Sequence, residues 1–349
     1  MTTTVRARLA AAWSQYRDRA ADAPPDAGRQ LVTRQGKEEL EVLLSRDDLH
    51  LHQLIGNYSE QGRQSAAAGD LGRALRWLAK AELACQSRRL QSPMAQALAE
   101  SHVLSAEAYL AMSLKDYEDA RAKLCRCIDL CVPYNQPLMQ LRAFHLFANL
   151  VRLDALHSAT EAAAGLLRRL ILSRSCPGIE IAPGWSCGMP PSREVLDFQW
   201  GQAVTEFALL DCTAETESCR HLHDLFRSND LHPSAVQWQG ELQEWYRLRR
   251  SCLFDDAETF VEGVCGFLEH QPGTYPVFGY LLAFSAATMA GDQSNALVKQ
   301  DIARCRCIPA SHKLLLAKRD RASHQAVLGF AAHSDLAPRF ETGSNHGWL

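Results

Sequence analysis

Histidine and cysteine residues cluster at several points of this sequence, and both residue types bind transition metals. Cys212, Cys219, His221 and His223 lie close together and are all possible zinc ligands. A zinc site needs about four ligands that converge as a tetrahedron. Residues two apart on a helix point in widely different directions, so His221 and His223 do not converge on their own. The spacing therefore argues against a metal site, and the same objection applies to His50 and His52.

The other cysteines lack the spacing of redox motifs. Cys176 and Cys187 flank a segment rich in proline and glycine, without the Cys-x-x-Cys spacing that lowers a thiol pKa. A Cys-Arg-Cys pattern occurs at 125–127 and again at 305–307, but thiols two apart on a helix diverge. A chain of this length builds its own core and does not depend on disulfides. We therefore expect reduced, partly buried thiols that pack as small apolar groups.

The sequence contains no Gly-rich phosphate loop, no Gly-x-Ser-x-Gly elbow and no His-Glu-x-x-His. Asp154 and His157 lie three apart and share a face of a predicted helix. No second carboxylate–histidine pair mirrors them, as a di-iron bundle would require. We therefore expect no catalytic activity, no cofactor and no bound metal. A metal-dependent enzyme on a helical scaffold, built from the His and Cys clusters, is the least favoured alternative.

The composition is typical of a folded helical protein. Of 349 residues, 47% are hydrophobic and 22% are charged. Leu, Ala, Arg, Glu and Gln recur, and these residues lose little side-chain freedom in a helix. A net charge of −3 provides no basic field for phosphate backbones, so we expect no nucleic-acid partner. The longest apolar stretches, such as 276–290, are too short to span a membrane, and no signal-peptide core follows Met1. We expect a cytoplasmic protein that does not bind membranes.

Breaks and small residues indicate pairs of antiparallel helices. The segment from Leu54 to Gln86 breaks at Gly69-Asp70, where Gly accepts the left-handed conformation that ends a helix and Asp caps the next one. The second helix of this pair carries Ala74, Leu78 and Ala81 on one face. Small side chains on that face allow two helices to approach closely. A second pair follows the same plan, with its turn at 115–117.

These pairs resemble tetratricopeptide repeats. The resemblance is carried by Gly69-Asp70-Leu71-x-x-Ala74, by Asp116-Tyr117-x-x-Ala120 and, near the C-terminus, by Gly291-Asp292-x-x-x-Ala296. Ala120 lies further from Ala74 than the family's period of about 34 residues, so the repeats are irregular. The resemblance implies an all-α fold, in which antiparallel helix hairpins stack into a right-handed α-solenoid.

Composition divides the chain into five segments. They are an N-terminal helix and linker at 1–30, N-terminal helical repeats at 31–172, a Pro/Gly-rich loop at 173–193, C-terminal helical repeats at 194–336 and a tail at 337–349. A loop with four Pro and three Gly is uncommon inside a compact array. It is either a seam between two subdomains or a binding loop built around Trp185.

The resemblance also implies a binding face, because the first helices of successive tetratricopeptide hairpins line the concave side of the array. Polar side chains at helical spacing on these helices are the candidates: Arg63, His102, Tyr109, Arg142, His145, Asn149 and Arg152. Together they form a mildly basic groove suited to an extended peptide or a carboxylate. The alternative is an ordinary solvated face, since polar residues opposite a core stripe are expected anyway.

The absence of catalytic motifs and the predicted concave surface favour an interaction protein. We expect an adaptor, chaperone or assembly factor that holds a protein or peptide segment in the groove. The alternative is a regulatory sensor that closes around a peptide or a small ligand and acts through a partner.

Overall fold

A computed structural model places most of the described chain in α-helices. It describes residues 3–22, 27–87, 90–157, 159–173, 176, 178–183, 185–186, 200–209, 240–254, 257–271, 276–290 and 301. Within this part of the chain, β structure is confined to one short two-stranded ribbon. The predominantly helical class predicted from the sequence is therefore confirmed. None of the helices described is both long and apolar enough to cross a lipid bilayer.

The helices and strands follow one another along the chain as a series of short elements. Their bounds are α1 (Thr3–Asp22), α2 (Ala27–Leu43), α3 (Arg46–Ala67), α4 (Leu71–Ser87), α5 (Pro93–Ser113), α6 (Tyr117–Cys131), α7 (Pro137–Leu156), α8 (Thr160–Leu172), β1 (Glu180–Ala182), β2 (Trp185–Ser186), α9 (Gly240–Phe254), α10 (Ala257–His270) and α11 (Pro276–Ala290). Residues 200–209 are also helical. The elements divide into two compact units, one with the described residues of 1–26 and 201–327 and one with those of 27–200.

The turns inside the second unit are capped as the sequence predicts. Gly69 ends α3 with a φ of 78°, and the Asp70 carboxylate accepts a hydrogen bond from the Arg73 backbone N–H at 2.9 Å. At the next turn Lys115 has a φ of 65°, and Asp116 accepts from the Asp119 backbone N–H at 3.1 Å. The same two-residue device therefore ends α3 and α5, although only the first turn uses glycine for the left-handed position.

Consecutive helices of this unit pack against each other, and small residues make the close contacts. The helix α3 packs against α4 and α5, and α5 packs also against α4 and α6, while α7 packs against α6 and α8. One buried apolar cluster consists of Ala66, Ala74, Leu78, Ala106 and Leu110. A Cβ atom on Gly62 would lie 2.8 Å from the Leu78 side chain, so this glycine allows α3 and α4 to approach. The helix α2 packs against both α3 and α7.

The ribbon of β1 and β2 was not predicted from the sequence. Its strands pair antiparallel inside the segment that the sequence identifies only as a Pro/Gly-rich loop. The guanidinium of Arg169 on α8 donates to the Ile181 backbone oxygen at 2.9 Å. Trp185 on β2 stacks on Phe147 of α7, with ring centroids 4.9 Å apart. The ribbon is therefore attached to the helical core.

In the first unit, α1 packs against α10 and α11, so the N-terminal helix belongs with the C-terminal helices. Tyr16 is fully buried, and its hydroxyl donates to the Glu241 carboxylate of α9 at 3.2 Å. Arg8 donates twice to Glu269, at 2.8 and 2.6 Å. Gly279 on α11 leaves room for the Tyr16 ring, since an added Cβ would lie 2.1 Å from Cε1.

Candidate functional site

Six polar or ionisable side chains are enclosed by four helices of the second unit, and together we name them the Arg142 cluster. Its members are His52 on α3, Ser101 and His102 on α5, Cys127 and Cys131 on α6, and Arg142 on α7. Each exposes at most 8% of its surface. Their positions follow from the helix periods, because each of these residues falls on the buried face of its helix.

Ser101 connects the members of this cluster. Arg142 donates from Nη2 to the Ser101 backbone oxygen at 3.0 Å and from Nε to its hydroxyl oxygen at 3.3 Å. The Cys127 thiol lies 3.4 Å from the same backbone oxygen and donates to it. The Ser101 hydroxyl itself donates to the Leu98 backbone oxygen at 2.7 Å. Arg142 is therefore oriented by neutral oxygen atoms.

Arg142 has no carboxylate partner within the described part of the chain. Its hydrogen bonds go to Ser101, and burial is the main reason that its pKa is lowered. The thiols of Cys127 and Cys131 are the groups that raise the pKa of Arg142, against the effect of burial. A buried charge without an opposite charge costs several kcal/mol of desolvation energy. Ser101 supplies hydrogen bonds to this charge but no opposite charge.

The two histidines of the cluster are held neutral at pH 7. Burial, followed by the charge of Arg142, lowers the pKa of His52 to about 4. The same two causes lower the pKa of His102 well below its ordinary value of 6.5. The two rings meet edge to face, with centroids 5.1 Å apart. Both ring nitrogens of His52 are buried without a hydrogen-bond partner, so one donor and one acceptor are unmet.

The thiols of this cluster are not suited to nucleophilic chemistry. Burial raises the pKa of Cys127 to about 12 and also raises the pKa of Cys131. The reactive form of cysteine is the thiolate, and both groups are protonated at pH 7. The chemistry available to the cluster is therefore the binding of an anion or of a hydrogen-bonding group.

The binding residues predicted on α7 differ in exposure. Arg142 is buried, whereas His145, Asn149 and Arg152 are half-buried and follow it along the helix at spacings of three and four. Asn149 accepts a hydrogen bond from Arg152 at 2.7 Å. His145 is one of the groups whose positive charge lowers the pKa of His102, after burial, Arg142 and His52. The helix thus leads from a polar, partly exposed stretch to the enclosed guanidinium.

Arg63 and Tyr109 form a second group. The Arg63 guanidinium donates to both carboxylate oxygens of Glu60, at 2.8 and 2.6 Å, and lies 5.6 Å from the centre of the Tyr109 ring. Both side chains are partly buried, and Tyr109 packs on the buried apolar cluster that includes Ala74. The charge of Arg63 is already paired inside the chain. Trp185 stands apart from both groups, buried against Phe147 with its indole N–H unpartnered.

Sequence reasoning did not include His52, Ser101 or the two thiols among the binding residues. The available signal was a histidine or a cysteine inside the apolar stripe of a helix, for example His52 beside Leu51 and Ile55. That pattern does not reveal which helices pack their apolar stripes against each other. Among the described residues no group of three His, Cys, Asp or Glu could hold a metal ion. The possible zinc ligands at 212–223, Cys187 and the pattern at 305–307 lie outside the described residues.

Comparisons with protein-family models, with curated proteins and with solved structures found no match, so the resemblance to tetratricopeptide repeats rests on the sequence motifs alone.

Proposed function

We propose that this chain is a helical scaffold that binds a protein or peptide segment, and that the Arg142 cluster receives a carboxylate of that segment. The observation that carries the proposal is the enclosed guanidinium of Arg142, which contacts Ser101 and no carboxylate in the described chain. A ligand carboxylate supplies the missing opposite charge. The proposal includes the right-handed solenoid as its frame, supported by the order in which α3 to α8 pack.

A carboxylate fits this environment better than a neutral group. The guanidinium is a planar fork of N–H donors that matches two carboxylate oxygens, and charge-assisted bonds are about twice as strong as neutral ones. His52 adds one N–H donor without a partner in the structure. The neutral imidazoles of His52 and His102 do not repel Arg142 at pH 7. An acidic side chain or a free C-terminus of the bound segment has the required chemistry.

The segment approaches along α7. His145, Asn149 and Arg152 are partly exposed and present polar groups at successive helical turns, and Arg142 lies at the enclosed end of this row. Extended peptides are commonly bound through rows of side chains spaced along a helix. The described cysteines are free thiols, which is consistent with a reducing compartment such as the cytoplasm.

Peptide selection on the immobilised full chain tests the proposal. A pool of random heptapeptides with a free C-terminal carboxylate is compared with the same pool in amidated form, and retained peptides are sequenced. Wild-type protein is expected to retain acid-bearing peptides, and Arg142→Met to lose them. Arg126→Met is the matched control, because Arg126 is exposed and pairs with Glu100. Equal retention by wild-type and Arg142→Met protein would contradict the proposal.

A sensor of a small carboxylate is the second candidate. It is favoured by the enclosure of the cluster, because a ligand at Arg142 becomes almost fully covered. Acetate, succinate and glutamate are the probes, added at millimolar concentration in a thermal-unfolding assay with chloride as the control salt. A rise in Tm with one of these compounds, absent in Arg142→Met, supports the sensor. Peptide retention without such a rise supports the scaffold.

A further inference from the structure

The helix α4 exposes an apolar strip that adjoins its buried face. Leu71, Leu75 and Leu83 are 38%, 59% and 65% exposed. They lie on one face because their spacings are multiples of four residues, and the strip extends about 18 Å at 1.5 Å per residue. The adjoining face is buried against α3 and α5 through Ala74, Leu78, Ala81 and Cys85. The exposed leucines are therefore not needed to hold α4 in place.

Two cations follow one edge of this strip. Arg76 and Lys80 are exposed and form no ion pair within the described part of the chain. The Lys80 ammonium lies 4.3 Å from the centre of the Trp77 ring, which itself stacks on Tyr58. The other edge carries Glu82, which accepts a hydrogen bond from Gln86 at 2.9 Å. The strip is thus apolar in the middle and positive on one side only.

We propose that this face of α4 binds an acidic amphipathic helix of another protein. Exposed leucines aligned along a helix and bordered by polar residues are typical of interaction sites. A partner helix with apolar residues at spacings of three and four packs on the leucines. Acidic residues along one edge of that helix pair with Arg76 and Lys80. This surface is separate from the Arg142 cluster, and the inference goes beyond the function proposed above.

The charges disfavour an antiparallel second copy and an anionic membrane as occupants of this strip. Two copies of α4 packed antiparallel about a two-fold axis bring the cations of both copies together, and such like-charge contacts oppose association. A helix lying on an anionic membrane presents cations on its polar face and lies flat in the surface. Glu82, on the edge opposite to the cations, is repelled by that surface. A partner helix with acidic residues along only one of its sides pairs with the cations and places no negative charge next to Glu82.

Binding of a designed peptide tests this inference. The probe is a fluorescent 18-residue helix with leucines at spacings of three and four and glutamates along one edge, and anisotropy is measured with the full chain. Leu75→Gln with Leu83→Gln is expected to raise the Kd at least about tenfold, because two leucines lose their buried contacts. Val42→Gln is the matched control, since Val42 is 82% exposed on α2 and lies outside this face. Circular dichroism confirms that each variant is folded.

Charge reversal and competing occupants complete the test. Arg76→Glu with Lys80→Glu is expected to abolish binding of the acidic peptide and to create binding of the same peptide with lysine in place of glutamate. Binding to vesicles of phosphatidylcholine and phosphatidylserine tests whether a membrane occupies the strip. Sedimentation of the chain alone tests whether a second copy does. Absence of peptide binding, or binding equal in the leucine double variant, overturns the inference. Vesicle binding or dimerisation that depends on Leu75 and Leu83, without peptide binding, also overturns it.

Discussion

Acidification should destabilise the chain through His52, and the size of the effect follows from its burial. The pKa of His52 is about 4 in the folded chain, against 6.5 for the unperturbed group. The unfolded state therefore takes up a proton first as the pH falls, and stability is lost between pH 6.5 and about 4. For one such group the loss is about 2 kcal/mol at pH 5 and about 3.4 kcal/mol well below pH 4. Above pH 7 the group contributes no pH dependence.

The groups that face His52 determine this behaviour. Arg142 approaches from α7 and disfavours a positive charge on the imidazole, and the His102 ring of α5 meets the imidazole edge to face. The pKa of His102 is lowered by burial, by Arg142, by His52 and by His145, so its protonation adds a loss of the same sign. Neither histidine has a carboxylate among the causes of its shift, so no ion pair offsets the effect.

Urea unfolding followed by circular dichroism at pH 7.5, 6 and 5 measures this loss, with hydrogen exchange of α5 amides as a local readout. His52→Phe keeps a ring of similar size and removes the titrating group. Between pH 7.5 and 5, both proteins should lose free energy of unfolding. The loss should be smaller in His52→Phe than in wild type, by about 2 kcal/mol. His50→Phe, two residues away and exposed, should keep the wild-type pH dependence. Parallel pH profiles for His52→Phe and wild type would refute the reasoning.

Two further predictions concern the backbone. Lys115 has a φ of 65°, in the left-handed region that costs a non-glycine residue about 1 kcal/mol, so Lys115→Gly should raise the free energy of unfolding by up to about that amount. A urea midpoint below that of wild type would contradict it. Gly279→Ala should lower stability by about 1–3 kcal/mol because its Cβ overlaps the Tyr16 ring, whereas Gly266→Ala on α10 meets no atom within 4 Å and should stabilise by about 0.5–1 kcal/mol. Equal effects in thermal unfolding would show that Tyr16 moves aside without cost.

Local signals were sufficient to predict the helix pairs. Gly69 and Asp70 act within four residues of each other, so their role in ending one helix and capping the next could be predicted from the sequence. The buried face of α4, with Ala74 and Leu78, follows from helical periodicity alone. Stacking of the hairpins into a solenoid stays a proposal, because it depends on angles between helices that no local pattern encodes.

The remaining features depend on contacts between residues far apart in sequence. The Arg142 cluster joins residues of four helices. When a helix face carries both polar and apolar residues, the sequence does not indicate whether a polar residue on it is exposed or enclosed. Arg142 was therefore predicted on an open face, and it lies inside. The ribbon around Trp185 depends on its contact with Phe147, about 40 residues earlier in the chain. The partners of α1 are similarly remote, since Tyr16 meets Glu241.

Removing the charge of Arg142 separates a structural role from a binding role. If the guanidinium mainly holds α5 and α7 together, Arg142→Met should lower the free energy of unfolding, because the bonds to Ser101 are lost. If it is kept for a ligand, the free chain bears an uncompensated buried charge, and replacement by an apolar side chain of similar length should be neutral or stabilising by about 1–3 kcal/mol. We expect the second outcome, measured by urea unfolding at pH 7.5 without added carboxylate. The Ser101 backbone oxygen keeps the Cys127 thiol as a donor, which limits the loss. A destabilisation of more than about 3 kcal/mol, the range found when a partnered buried charge is broken, would assign Arg142 to the architecture and remove the main support for a carboxylate ligand.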